Sequence, residues 1–248
     1  MRLLSFLLGG AVAACTLGGC IPGAAPRTGD ITRHELAVDA SLPVVNYEPQ
    51  SVVLHNGNRI DGKVAIFPSA QSSVRGKLGE RFELGGVISM GRYLAEARFG
   101  PIQESDGAPL SIALSAAAGA RVIPPSPWAR VGVDMSRRFG SFALILDGYL
   151  SAGTELHWMN LPEDKVPQED LPKEGPFPAS ASLVRRELRL HLPFGVAVRV
   201  SEGESSDADL VFGGNAWWVL SHGEAIDPTY PDYTADRGVE FSVGLGFR

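Results

Sequence analysis

The sequence predicts an all-β protein, an antiparallel transmembrane-type β-barrel of about ten strands. Three observations predict it. After residue 20 no segment sustains a helical period, and apolar residues instead keep to one parity over long runs. The runs are too long for an ordinary soluble strand of ~5–6 residues and suit a membrane-spanning strand of ~9–11. The face opposite the apolar one carries small residues and charges of both signs, as a narrow polar lumen requires.

The first element is a targeting segment. Residues 1–19 place Arg2 before an apolar stretch, Leu3 to Ala14, that is too short to span comfortably and reads as a signal-peptide core. Leu17-Gly18-Gly19-Cys20 follows directly and resembles a bacterial lipobox. The resemblance implies cleavage before Cys20 and acylation (palmitate) of its thiol. An ordinary secretory signal with an incidental cysteine is the alternative, and Cys15 is a weaker acylation site because it leaves too short an apolar core. With Cys20 acylated, removal of the leader takes Cys15, and the mature chain keeps no thiol for disulfide or metal chemistry. Ile21 rather than Asp after the cysteine implies, by the Gram-negative sorting rule, delivery to the outer membrane. Residues 20–32 are then the lipidated cysteine and a Pro/Gly-rich tether, and residues 33–248 the barrel.

Ten strands are expected at 33–45, 64–77, 81–89, 91–100, 109–122, 127–138, 142–159, 180–200, 208–222 and 238–248. The clearest is 142–158. Its even positions include Phe142, Leu144, Leu146, Leu150, Leu156 and Trp158, and its odd positions Asp147, Ser151, Glu155 and His157. In 184–200 the even face runs Val184, Leu188, Leu190, Leu192, Phe194, Val196, Val198 and Val200, broken by Arg186. Its odd face carries Arg185, Glu187, Arg189, His191 and Arg199. Trp128, Trp158, Trp217 and Trp218 fall near strand ends, as in an interfacial girdle. An even strand count returns both ends of the barrel to one side, with short turns at 78–80 and 139–141. Loops 46–63, 160–179 and 223–237 lie on the opposite side. Pro-rich stretches such as 160–179 cannot continue a ladder.

The alternation, the hairpin Gly79-Glu80-Arg81-Phe82-Glu83-Leu84-Gly85-Gly86 and the last strand, Val239 to Phe247, together resemble outer-membrane β-barrel proteins over roughly 33–248. That last strand looks like the family's assembly signal, although Arg248 follows the aromatic residue. The resemblance implies a location in the outer membrane, anchored at the N-terminus. It implies contact with membrane lipids and with the assembly and lipoprotein-sorting machineries. A net charge of −6 argues against nucleic acid as a partner.

Chemistry is sparse. None of the five His forms an HExxH pair, and no GxSxG elbow or Walker loop is present, so neither a metal nor a cofactor is expected. Ser151, Glu155 and His157 share one strand face, with Glu155 and His157 ~7 Å apart, but no motif surrounds them. The expectation for Asp134, Asp147, Glu155, His157, Arg185, Glu187 and Arg189 is a polar network filling a narrow lumen, because unpaired charges there would be costly. The sequence therefore favours a non-enzymatic, lipid-anchored barrel serving structure, surface contact or narrow solute passage. A periplasm-facing lipoprotein with a soluble β-sandwich or closed barrel that binds a ligand or partner, and a barrel hydrolase acting on lipid or peptide, are the alternatives.

Overall fold

A computed structural model describes residues 26–54, 56–65, 71–89, 91–122, 125–161, 166, 180–203, 207–225 and 232–247. The calls on Cys20, the signal peptide and most of loop 160–179 lie outside these residues. The strands are β1 (Leu36–Val53), β2 (Arg59–Ala65), β3 (Gln71–Lys77), β4 (Phe82–Ser89), β5 (Arg92–Ile102) and β6 (Ser111–Arg121). They continue with β7 (Ser126–Phe139), β8 (Phe142–Asn160), β9 (Ser180–Ser201), β10 (Ala208–Ala225), β11 (Asp232–Thr234) and β12 (Arg237–Phe247).

Every neighbouring pair is antiparallel, and the sheet closes where β1 meets both β12 and β3. On one side of β1, β3 pairs the lower part and β2 the upper part in a single continuous register, from Ser41↔Gln71 to Tyr47↔Ala65. On its other side β12 and β11 also divide the strand, with a register shift between Pro43 and Val45. The wall is thus a closed ten-strand barrel. Closure removes the free edges that a β-sandwich would keep, and the sandwich alternative falls.

The parity expectation holds in the wall. Leu146 is 55% exposed on the outside, whereas its neighbour Asp147 is 3% exposed inside. Leu144, Leu150, Val131, Phe194, Phe212 and Phe241 also face outward. Arg137 stands opposite Leu144 and Arg186 opposite Thr154, so outward cations bracket the greasy belt along β8. The spacing between them, ~10 residues, matches a spanning strand.

Three expectations are corrected. The stretch 46–63 is not an outer loop: β1 runs on to Val53 and turns into β2. Pro49 does not break it, because the ladder passes on both sides of that residue. The expected strand 64–77 is two strands, β2 and β3. Finally, Trp128 and Trp217 are no interfacial girdle; both are buried inside. They sit on the inward parity of β7 and β10, where Arg92 lies 4.6 Å over the Trp128 ring and Arg189 4.3 Å over the Trp217 ring. Trp218 does face outward, and the side chain of Trp158 lies outside the described residues.

Candidate functional site: the filled lumen

The lumen has two halves. The half nearest the short turns is occupied by the segment that precedes β1. Residues 26–32, read from sequence as part of a tether, lie inside the barrel, and Arg27 is only 5% exposed. Gly195 and Gly213 make room for Pro26, since a Cβ on Gly213 would come within 2.3 Å of the proline ring. Gly29 lies so close to the backbone carbonyls of Ser111 and Asp134 that a Cβ would fall 2.5 and 2.7 Å from them.

The wall reads this segment through its backbone. The Arg27 amide donates to Asp147 (2.9 Å), Gly29 to the Ser136 hydroxyl (3.0 Å), Ile31 to Gln103 (2.8 Å) and Thr32 to Glu83 (2.6 Å). The carbonyl of Thr28 accepts from Arg98 (2.8 Å). The Arg27 guanidinium makes a two-pronged pair with Glu96, both contacts 2.8 Å, a geometry that fixes orientation as well as charge.

Around the segment the ion pairs interlock. Arg130 reaches Glu96 (2.6 Å), and Arg98 joins Glu83 (2.8 Å) to Asp134 (2.9 Å). Arg75 links Glu83 (3.1 Å) to Asp39 (2.5 Å). Asp134 and Asp147 are directly opposed on β7 and β8. The two take different partners: Asp134 takes Arg98, and Asp147 takes the amides of Arg27 and Met135.

The other half satisfies itself. The ring nitrogens of His157 lie 2.6 Å from Glu48 and 2.8 Å from Glu187. Arg185 and Arg189 both close on Glu187 at 2.5 Å. Glu155 goes elsewhere, to Arg92 and to the indole N–H of Trp128 (3.1 Å). Glu155 and His157, which share one strand face, thus take different partners. Ser151 turns away from both: its hydroxyl lies 3.0 Å from His191 Nε2, and Asn215 lies 3.3 Å from His191 Nδ1. Tyr149 stacks on the same imidazole at 4.6 Å. At the far end an apolar cap forms from Val52, Leu54, Ile60, Met159, Leu161, Val166 and Ala235. On the exposed β1–β2 tip above it, hydrogen bonds from Arg59 and Ser51 hold Asp61 below the usual carboxylate range.

All seven sequence-predicted residues are thus buried in the lumen, but in three clusters rather than one. Sequence reasoning missed Arg27, Arg75, Arg92, Glu48 and the Ser151–His191–Asn215 contact. Inward parity marks Arg75 and Arg92. Arg27 is the one cation in a stretch of mostly small residues that also holds Asp30, a weak signal.

A closed wall that is apolar outside and charged inside defines the class: the chain has the architecture of an outer-membrane β-barrel. No family profile and no curated protein sequence matches it. Solved structures do. Neisserial surface protein A aligns at 14% identity over 86% of this chain and 96% of its own, with a TM-score of 0.35. The outer membrane protease OmpT of Escherichia coli aligns at 9% over 88% and 96%, with a TM-score of 0.40. The attachment invasion locus protein Ail of Yersinia pestis aligns at 14% over 86% and 98%, with a TM-score of 0.29. These are likenesses of shape at low identity, and function is argued below from the chain's own residues.

Proposed function

We propose that the chain is a lipid-anchored outer-membrane barrel of non-enzymatic type, closed to diffusion, that serves as a structural or surface-contact element. The observation that carries the reading is the lumen filling. Segment 26–32 occupies one half, bound by Arg27 to Glu96 and Asp147. A self-paired network occupies the other, beneath an apolar cap. Charged side chains held this way crowd the lumen among the described residues, which supports a barrel closed to water. The outward greasy belt supports membrane insertion. The motif ending at Cys20 supports the anchor, with membrane lipids and the sorting and assembly machineries as partners.

Planar-bilayer recording tests it. The unmodified protein is expected to be silent. Arg27→Glu puts a like charge against Glu96, and is expected to expel the segment and give measurable channels. A large, stable conductance in the unmodified protein overturns the closed-barrel reading. Fatty-acid labelling tests the anchor: Cys20→Ser is expected to lose label and accumulate uncleaved precursor, and continued labelling moves the site or removes it.

The hydrolase reading draws on one observation, the Ser151–His191–Asn215 contact, which has the order of a nucleophile, a base and an orienting group, although the Asn215 amide nitrogen at Nδ1 puts the ring proton on Nε2, where it faces Ser151 rather than accepting from it. All three are sealed, at 2%, 3% and 1% exposure, so no substrate reaches them in this form. A fluorophosphonate probe that labels Ser151 in the Arg27→Glu barrel would favour hydrolysis over the non-enzymatic reading.

A further inference from the structure

A cavity of about 170 Å³ opens at the short-turn end of the barrel, where segment 26–32 leaves the lumen. Five stretches of chain meet there: Asp30 to Arg33, the β5–β6 connection at Glu104, the ends of β7 and β9 at Arg138 and Arg199, and Asp207 before β10. The volume suits a small organic molecule rather than a single water.

Charge in this cavity is balanced but not fully paired. Arg199 is spent on Asp207 and Asp209, both at 3.2 Å. Arg138 reaches Asp209 through Nη2 (2.9 Å), but its Nη1 is buried without a hydrogen-bond partner. Arg33, exposed at the rim, has no carboxylate partner among the described residues. The acids are left over in the same way. Asp30 accepts from the Ser111 hydroxyl, and Glu104 accepts from the backbone amide of Arg138 (3.0 and 3.1 Å). Neither meets a cation among the described residues. In the adjoining lumen, by contrast, Glu83, Glu96 and Asp134 each meet a guanidinium.

We propose that this cavity binds the head of an α-amino acid, its carboxylate on Arg33 and Arg138 and its ammonium on Asp30 and Glu104. A simple anion would leave both acids uncompensated, and a simple cation would leave both guanidinium groups so. A zwitterion satisfies the two pairs at once, and a guanidinium matches a carboxylate with two parallel hydrogen bonds. With a lipid anchor in the outer membrane ahead of β1, this end of the barrel faces the periplasm. Free amino acids and the peptide ends of the cell wall both present such a head there. The source of the ligand thus rests on the proposed anchor; the site itself does not.

The test is titration calorimetry of the full-length protein in detergent with alanine, N-acetylalanine and alanine amide. Alanine is expected to bind, and each blocked analogue about tenfold more weakly, in line with one lost charged hydrogen bond. Arg33→Gln is expected to erase the preference for alanine over its amide, and Glu104→Gln the preference over the N-acetyl form. A distorted cavity would weaken all three probes alike. Arg59→Gln, at the opposite tip, is expected to change nothing. No binding of alanine, equal binding of the three probes, or variants that weaken binding without moving these preferences would each overturn the proposal. Pelleting with cell-wall sacculi that alanine displaces assigns the head to a wall peptide; alanine binding without pelleting assigns it to a free amino acid. Bilayer recording on the same protein separates the two readings. A silent barrel that binds no alanine overturns this inference alone, whereas a conducting barrel that binds it overturns only the closed lumen.

Discussion

The two halves of the lumen solve one problem by different means. Both hold charges away from water inside a narrow barrel, where an unpaired ion costs several kcal/mol. The half near the short turns uses a guest: segment 26–32 supplies four backbone donors and one guanidinium to Asp147, Ser136, Gln103, Glu83 and Glu96. The capped half relies, among the described residues, on wall side chains, with Glu187 shared by His157, Arg185 and Arg189, and on Ala235 and Asp236 of the connection before β12, which also take Arg185. The difference teaches that a balanced count of acids and bases does not say how a lumen is closed. One half can in principle be emptied without cutting the wall, and the other cannot.

The strongest way to break the comparison is to remove the central acid of each half. Glu96→Ala strands Arg27 and Arg130, and Glu187→Ala strands Arg189 beside His157 and leaves Arg185 its pair with Asp236. Each is expected to destabilise the folded barrel by about 3–5 kcal/mol, measured by urea unfolding in lipid vesicles. A much milder loss for Glu96→Ala would mean that the guest half is already hydrated. Next, Leu146→Arg is expected to cost ~2–4 kcal/mol in the same assay by placing a cation at mid-membrane. Because it acts on the wall, its effect should be equal with Arg27 present or replaced by Ala. If it were not, the wall and the guest would be coupled.

These expectations also mark what the sequence could and could not show. Strand positions β4 to β10 were legible because each side chain obeys a period of two that burial imposes on every residue. Inward charge was legible for the same reason. Pairing was not. Glu155 and His157 share a face, yet Arg92 from β5 takes one and Glu48 from β1 takes the other. Those partners are fixed by the curvature of the barrel, which parity does not encode. The guest was hidden for a different reason: it binds chiefly through backbone amides, and these leave no trace in residue type. Small residues at 26–32 therefore read equally well as a solvated tether. The upper part of β1 was hidden by Pro49, whose place in the ladder depends on neighbours far along the chain.

A double-mutant cycle sharpens the comparison further. Arg27→Ala and Glu96→Ala are expected to couple by about 1.5–3 kcal/mol, the range of a charged hydrogen bond. Arg27→Ala and Glu187→Ala are expected to add within ~0.5 kcal/mol, since the two belong to different halves. The smallest effect should come from Ser151→Ala. It removes one neutral contact to His191 and is expected to cost about 1 kcal/mol.

The position of segment 26–32 constrains the order of assembly. It directly precedes β1, and β1 closes the barrel by pairing with β12 at the far end of the sequence. A wall that zipped shut first would leave a peptide with a bulky guanidinium outside a lumen crowded with ion pairs, and threading it afterwards would mean breaking them. The seam between β1 and β12 must therefore seal last, around a segment already laid against β4 to β8. That long-range step brings together the two ends of the chain and carries the largest loop-closure entropy in the molecule. Weakening the seam, for example with Leu42→Pro, should slow maturation more than it lowers final stability, and should trap a laterally open sheet with its guest in place.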